Sequence, residues 1–333
     1  MSRATAIAGS NIALVKYWGK RSGTRPGLNL PAVGSLSVTL DSLTTRTTVA
    51  LDESLEWDEV TLSDPAGPRR DAVSDAKVSG FLDRMRQRAG EERRARVETH
   101  NDFPTAAGLA SSASGFAALA KAASAAMGWS ASDRELSLLA RQGSGSAARS
   151  IFGGFVEWHR GVQDDGSDSF AEPIAETSHW PLRVVVAVTR RGPKATGSRE
   201  GMEHSRETSA FWQSWLDTHP ADLESARAAI EQRDFERLAE VTEASCLKMH
   251  AVMMSSRPGL LYWRGATLEV VHAVREMRMS GVPVCFTIDA GPQVKVVCEP
   301  DAEARAAAML ESLPGVEQVI ASGLGPGARL VNE

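Results

Sequence analysis

Asn101-Asp-Phe-Pro-Thr-Ala-Ala-Gly108-Leu-Ala-Ser-Ser112-Ala-Ser-Gly-Phe116 is the stretch on which the fold turns. It begins with turn formers, passes through small residues and runs into the Ala-rich segment 113–127, whose high helix propensity predicts a helix. A Gly/Ser loop opening into a helix offers free backbone N–H groups, the positive end of the helix dipole and short hydroxyls, which together favour an anion such as phosphate. The same residues also suit an ordinary capped helix that packs closely through small side chains. Neither a Gly-Lys-Ser/Thr ending nor a Gly-x-Gly-x-x-Gly pattern is present, so the common nucleotide-loop motifs do not apply.

Outward from this stretch, residues 4–18 read as two short strands around a Gly-Ser-Asn turn, followed by a polar loop carrying Lys20, Arg21 and Arg25. Ser35–Leu40 and Thr44–Leu51 read as two strands of a hairpin. Residues 63–75 read as a loop, and Val78, Phe81, Leu82 and Met85 mark one helix face. Ser132 and Glu135 stand at capping-box spacing. A second Gly/Ser loop, 142–150, holds one basic side chain, Arg149. Leu182–Thr189 predicts an internal strand. Beyond a fourth polar loop with Arg190, Arg191, Lys194, Ser198 and Arg199, residues 203–256 are mostly helical. Strands at 284–288 and 294–298 flank Asp289-Ala-Gly-Pro-Gln, and a helix at 301–312 leads to a closing strand near 317–320. This pattern predicts an α+β protein of two lobes, 1–190 and 191–333.

The chain has 333 residues, enough for two cores. Its net charge of −5 gives no bulk attraction to nucleic acid or an anionic membrane, so any phosphate site must be a local basic cluster. The basic run Arg84–Arg96 reads as a solvated face. Cys246, Cys285 and Cys298 are odd in number and lack metal spacing, which predicts buried free thiols in a reducing compartment. No metal cage is legible, nor any signal peptide or membrane-spanning run, and the expected location is cytoplasmic. Two Gly/Ser loops with two basic loops favour a substrate bearing more than one phosphate. Asp289, ending an apolar strand, suits general-base or positioning work, and equally suits nucleating a turn.

Asn11-Ile-Ala-Leu-Val-Lys-Tyr-Trp-Gly-Lys20, Leu28-Asn-Leu-Pro, Ser35-Leu-Ser-Val-Thr-Leu, Pro104-Thr-Ala-Ala-Gly-Leu-Ala-Ser-Ser-Ala-Ser, Gly143-Ser-Gly-Ser-Ala-Ala-Arg-Ser and Asp289-Ala-Gly-Pro-Gln-Val-Lys occur in this order. Together they resemble the diphosphomevalonate decarboxylases, a branch of the GHMP kinase superfamily. The resemblance implies a ribosomal protein S5 domain 2-like N-terminal lobe that binds ATP and a ferredoxin-like C-terminal lobe, with the site in the cleft. It implies ATP- and magnesium-dependent conversion of mevalonate 5-diphosphate into isopentenyl diphosphate, CO2, ADP and phosphate, by phosphoryl transfer to the 3-hydroxyl.

By the same resemblance Asp289 would orient or deprotonate that hydroxyl, Lys20 would sit beside Asp289 and the transferring phosphoryl, and Arg149 would clamp the substrate carboxylate. Tyr17, Ser144, Ser146, Ser198 and Arg199 would line the diphosphate side. Gly108, Leu109, Ala110, Ser111 and Ser112 would form the ATP phosphate loop, with Ser112 nearest the phosphates. Magnesium would be held mainly by ATP oxygens and water, near Ser112, and the protein would be a homodimer. Residues 196–199, Thr-Gly-Ser-Arg, depart from the expected hydroxyl pair at Gly197. That departure touches the choice between diphosphate and monophosphate. The competing readings are a mevalonate 5-phosphate decarboxylase or 3-kinase on the same fold, and a non-catalytic nucleotide- or isoprenoid-phosphate-binding protein.

Overall fold

Two long strands, β1 (Arg3–Val15) and β2 (Ser35–Asp52), run antiparallel and form the axis of the molecule. A computed structural model describes residues 2–331 except 26, 70–71, 104–110, 191 and 193–195. The chain continues through β3 (Glu59–Asp64), β4 (Gly67–Arg69), α1 (Ala72–Ala89), β5 (Arg94–Asn101), α2 (Ser111–Ala126), α3 (Asp133–Gly143), α4 (Ala147–Ser150), β6 (Phe155–Trp158) and β7 (Ala171–Ala175). There follow β8 (Arg183–Val188), α5 (Ser198–Thr208), α6 (Trp212–Gln232), α7 (Phe235–Met254), α8 (Gly265–Met279), β9 (Val284–Ile288), β10 (Val294–Cys298), α9 (Glu303–Ser312), β11 (Gln318–Ser322) and β12 (Arg329–Val331).

Among the described residues the first sheet has the order β12-β1-β2-β5-β3-β4, with β6 and β7 continuing from the first part of β2. Helices α1, α2 and α3 cover it. The Ala residues of α2 are small enough to let the helix lie close on the strands, and Ala113, Ala117, Ala118, Ala120, Ala122 and Ala123 are all buried there. The second sheet has the order β11-β8-β10-β9, antiparallel throughout. Taken with the helices between β8 and β9 and with α9 between β10 and β11, this is the ferredoxin-like arrangement expected of the C-terminal lobe. The sheets divide between β7 and β8, ahead of residue 190, and β12 returns to the first sheet.

Strand β8 explains how the lobes join. Val184, Val186 and Val188 point into a core shared with Ile12 and Leu14 of β1, Leu36 and Val38 of β2, and the apolar stripes of α6 and α7. Val185 and Ala187 point the other way, toward α8 and α9. Burial on both faces is why this strand reads as an unbroken apolar run.

Several elements differ from the sequence reading. The Gly-Ser-Asn segment is not a turn but a bulge in one continuous strand, where the pairing passes from Gly9 with Thr44 to Asn11 with Thr39. Asp41–Leu43, read as the tip of a hairpin, is the matching excursion in β2. There the Asp41 carboxylate accepts from Ser322 Oγ and the Gly323 N–H, each at 2.9 Å, and so holds the chain that leads to β12. Strands β3, β4, β7 and β12 escaped notice because they are short, and Pro68 and Pro173 argue against a strand in sequence terms. The basic run also holds a buried member, Arg86, paired with Asp58 and, at 2.7 Å, Asp83. The helix face at 78–85, the capping box of Ser132 and Glu135 and the three buried free cysteines are as expected.

A Cβ on Gly9 would lie 2.1 Å from the Leu40 carbonyl oxygen, so the bulge depends on a residue without one. Gly9→Ala is expected to lower the free energy of unfolding by about 1–3 kcal/mol, read as a fall in the urea midpoint. An unchanged midpoint would show that the two strands can separate here without loss.

Candidate active site

Asp289 follows the last residue of β9, on the side of the second sheet that faces β1. Its Oδ1 accepts from Lys16 Nζ at 2.6 Å, and its Oδ2 pairs with Lys295 Nζ at 3.1 Å. Both lysine side chains are 1% exposed and the carboxylate 30%, so the ammonium groups stand behind it and its free face opens outward. Burial alone would raise the Asp289 carboxyl. The two cations outweigh it and hold the group below the ordinary carboxylate range. Burial also depresses Lys295, against the pull of Asp289.

The strand that carries Asp289 is the edge of its sheet, and α7 seals that edge. Glu243 accepts from the Phe286 N–H at 3.3 Å, Cys246 Sγ accepts from the Ile288 N–H at 3.2 Å, and His250 Nε2 reaches the Ile288 carbonyl at 3.3 Å. On the same helix Ser245 Oγ accepts from the Lys16 N–H at 3.0 Å. One helix face thus fixes the backbone on both sides of the Lys16–Asp289 contact.

Arg149 is 3% exposed on the one-turn helix α4. Its guanidinium donates twice to Asn11 Oδ1, at 3.1 and 2.8 Å, and once to Ser35 Oγ at 2.5 Å. Asn11 in turn donates to the Ser146 carbonyl and to Ser150 Oγ. Among the described residues no carboxylate stands within ion-pair distance of Arg149. Burial draws it down to about 10, and the charge that most counters this is that of Asp289. A buried cation held only by neutral groups is costly unless an anion joins it.

The two Gly/Ser loops meet. Ser112, in the first turn of α2, lies 3.2 Å from Ser144 by their hydroxyls, and Ser144 lies 3.5 Å from Ser146. The start of α2 is fixed by Ser114 Oγ, bonded to Thr45 of β2 at 2.7 Å and to Ser10 of β1 at 3.3 Å. Tyr17 closes one side, edge-on to Trp158 at 4.7 Å and beside Gly145. Burial pushes its phenol above the ordinary value although Arg149, Arg199 and Arg141 pull the other way.

Lys20 is not on Asp289, contrary to the sequence expectation; Lys16 and Lys295 hold that carboxylate. Lys20 donates to Asn29 Oδ1 at 2.6 Å, and Arg199 of α5 approaches the same oxygen at 3.5 Å. The Asn29 amide donates to the carbonyls of Arg141 and Gln142, which ties both cations to the second Gly/Ser loop. The backbone between the two lysines explains the exchange: Gly19 has φ +98°, and a Cβ there would collide with Trp212 at 2.0 Å. That left-handed residue separates Lys16, on Asp289, from Lys20, on Asn29. Burial and the Arg199 charge lower Lys20 to about 8.

Asp289, Arg149, Tyr17, Ser112, Ser144 and Ser146 therefore form one connected region, with Lys20 and Arg199 on its Asn29 side. Ser111 begins α2, and Ser198 begins α5 behind Gly197, which caps that helix without a side chain. Gly108, Leu109 and Ala110 lie outside the described residues, as do Arg191 and Lys194. Arg21 leaves the site and braces the carbonyls of Arg160 and Gln163. Lys16, Lys295, Asn11 and Asn29 were missed. Lys295 carried a signal, a lone charge within Val-Lys-Val-Val-Cys on a strand otherwise wholly apolar.

Comparison with known proteins covers both lobes. Residues 8–171 match the family described as diphosphomevalonate decarboxylase-like N-terminal domain, and residues 184–324 match the mevalonate 5-diphosphate decarboxylase C-terminal domain. The diphosphomevalonate decarboxylase of Candida albicans is 34% identical, over 100% of this chain and 99% of its own. The human diphosphomevalonate decarboxylase is 33% identical, over 100% and 94%. The solved structure of mevalonate diphosphate decarboxylase from Staphylococcus aureus superimposes with a TM-score of 0.91 at 39% identity, covering 99% of this chain and 98% of that one. A structure of MDDEF in complex with MVAPP, AMPPCP and magnesium gives a TM-score of 0.90 at 41% identity, with 99% of each chain covered. Likeness of this extent, through both sheets and the cleft that holds Asp289 and Arg149, places the chain in the diphosphomevalonate decarboxylase family, on the two-lobed α+β fold of the GHMP kinases.

Proposed function

We propose that this protein catalyses the ATP-dependent decarboxylation of (R)-mevalonate 5-diphosphate to isopentenyl diphosphate, releasing ADP, phosphate and CO2. The observation that carries this reading is an ionised, outward-facing Asp289 in the same cleft as a buried Arg149 that has no carboxylate partner among the described residues. The first suits a hydroxyl and the second a carboxylate, the two groups that this reaction must hold together on one substrate.

Asp289 accepts the hydrogen bond of the 3-hydroxyl and aims its oxygen at the γ-phosphorus of ATP. The O–P bond forms as the bond to ADP breaks, and the hydroxyl proton passes to Asp289. With its basicity lowered by two lysines, the carboxylate orients first and takes the proton late, as suits a loose phosphoryl-transfer transition state. Lys16 offsets charge at the same point. Arg149 holds the substrate carboxylate while the C3–O bond to phosphate breaks. The C–C bond to CO2 breaks with it, and its electron pair becomes the alkene. Lys20, Arg199, Tyr17, Ser144, Ser146 and Ser198 line the diphosphate side. Ser111 and Ser112, with Gly108, Leu109 and Ala110, serve the ATP phosphates at the start of α2.

Among the described residues no group of three or more His, Cys, Asp and Glu side chains is placed to hold a metal ion. Magnesium would therefore enter on the phosphate oxygens of ATP with its waters, near Ser112, and would neutralise phosphate charge there. We divide the chain into an ATP-binding lobe and a C-terminal lobe; the two sheets support two lobes, with the change of sheet falling between β7 and β8 and β12 returning to the first. The homodimer and the cytoplasmic location rest on the family likeness; among the described residues no helix is long and apolar enough to cross a membrane.

Purified protein given Mg-ATP with mevalonate, its 5-phosphate or its 5-diphosphate should yield equal ADP and CO2 from the diphosphate only. Equal yields from the monophosphate would reassign the substrate and point to Gly197, and ADP without CO2 would make the protein a 3-kinase. Asp289→Asn is expected to lower turnover to below a few per cent with ATP affinity within about twofold of the parent, since a neutral amide cannot accept the proton. Retained turnover would remove Asp289 from the chemistry. Lys20→Met should raise KM for the diphosphate about tenfold or more with kcat little changed, the worth of one charged hydrogen bond. Because Lys20 loses its proton near pH 8 in the free protein, the parent should also bind diphosphate more weakly above that pH, and the variant should not. A fall in kcat at constant KM would return Lys20 to the reacting centre.

A further inference from the structure

We propose that Lys295 is a positioning residue of this site, the fixed counter-ion that keeps the Asp289 carboxylate ionised and turned toward the cleft. The proposal rests on the functional reading above for its kinetic consequence and on geometry for the rest. Lys295 sits mid-strand on β10, which is paired on both sides, with Ala187, Val186 and Val185 of β8 along one flank and Ile288, Thr287 and Phe286 of β9 along the other. Its neighbours Val294 and Val296 point into one core and Val297 lies in the core shared by the lobes. A lysine here gives up its hydration, and Asp289 Oδ2, at 3.1 Å, is the acidic group in contact with it among the described residues.

The arrangement divides the carboxylate. Lys295 holds Oδ2 from within the sheet, where a strand bonded on both edges cannot follow a ligand. Lys16 holds Oδ1 from the end of β1, next to Tyr17 and the open side of the site. Among the described residues, the other titratable or charged groups facing Asp289 are Arg149 from α4, with Cys246 and His250 from α7. Burial keeps Cys246 and His250 neutral, the thiol raised to about 11 and the imidazole lowered to about 3. When the negative charges of substrate and ATP arrive, Lys16 and Arg149 are both drawn to them. Lys295 is the cation that remains committed to Asp289. Without it the carboxylate would face that incoming charge with its own negative charge less supported, and it would take up a proton at higher pH. Deprotonated, it can take the proton of the hydroxyl; protonated, it cannot.

The test is Lys295→Met, which keeps much of the side-chain length and removes the charge, with Lys295→Arg as the variant that keeps it. Carbon-13 NMR of the aspartate carboxyls, assigned by Asp289→Asn, reads the ionisation of Asp289 without any substrate. In Lys295→Met its titration should move up by about 1–3 on the pH scale. The acid limb of kcat should move up with it; at neutral pH, where the carboxylate stays ionised in either protein, a fall in kcat reads the loss of its orientation instead, with KM for ATP within about twofold. Lys295→Arg should restore the parent's titration. If the Met variant fails to fold, Lys295→Gln, neutral and polar, takes its place: a titration moved up in the same way supports the role, and one unmoved overturns it. An Asp289 titration and a kcat profile unmoved in a folded Met variant would overturn it too, leaving Lys295 a packing residue. The NMR result stands even if the parent should release no CO2 from mevalonate diphosphate, so failure of the functional reading and failure of this proposal are told apart.

Discussion

Asp289 between Lys16 and Lys295 is the contact on which the rest of the structure depends. Two buried ammonium groups and a part-exposed carboxylate, summing to +1, meet where the two sheets come together, Lys16 from the end of β1 in the first sheet, Asp289 from the end of β9 and Lys295 from β10 in the second. Removing any one would strand the others in a medium that solvates them poorly. Asp289 holds two cations that apolar cores surround, so the contact ties the lobes in one relative position. The β1 strand has to be long for this reason. It spans the first sheet and still delivers Lys16 to the second, and the bulge at Gly9 gives it the bend it needs.

The same logic extends across the cleft. Arg149 is buried against neutral groups, and Lys20 and Arg199 share one amide oxygen. These are unfavourable placements for a protein alone: a guanidinium with no carboxylate beside it among the described residues, and two like charges drawn to one acceptor. They become favourable when anions arrive, and they lie at different places along the cleft, so a ligand that satisfies all of them carries anionic groups at more than one position. Perturbed ionisable groups gather in this cleft because its charge balance is completed by what it binds.

Much of the fold was legible because its signals are local. A capping box, an apolar stripe at helical spacing and an unbroken Val run each report on their own neighbours, and Ser132, Val78–Met85 and Val184–Val188 behaved accordingly. Reading failed where a residue's role is set by a strand far away. Gly9-Ser-Asn has the composition of a turn, yet its glycine is there because Leu40 of β2 passes within 2.1 Å of where a Cβ would be. In the site, Asp289 and Arg149 stood out by residue type and place, whereas the choice between Lys16 and Lys20 hinged on side-chain direction. Four residues apart in one segment, they are equivalent in composition, and with the left-handed Gly19 between them they reach different partners.

The precision of Asp289 owes most to an element that touches no charge transfer at all. An edge strand leaves a row of backbone groups unpaired, and ordinarily such a strand is shifted easily. Here α7 supplies Glu243, Cys246 and His250 to the groups of Phe286 and Ile288, while Thr287 Oγ1 donates to the Ala13 carbonyl of β1. Every one of these contacts lies within four residues of Asp289. The helix residues are short or buried and neutral apart from Glu243, whose charge is met by Arg278 through two bonds at 2.6 and 3.0 Å. The edge is thus closed without adding free charge beside the Asp289 carboxylate. A site that must place one oxygen correctly has its backbone fixed first, by α7 and β1, and its charge fixed second, by Lys16 and Lys295.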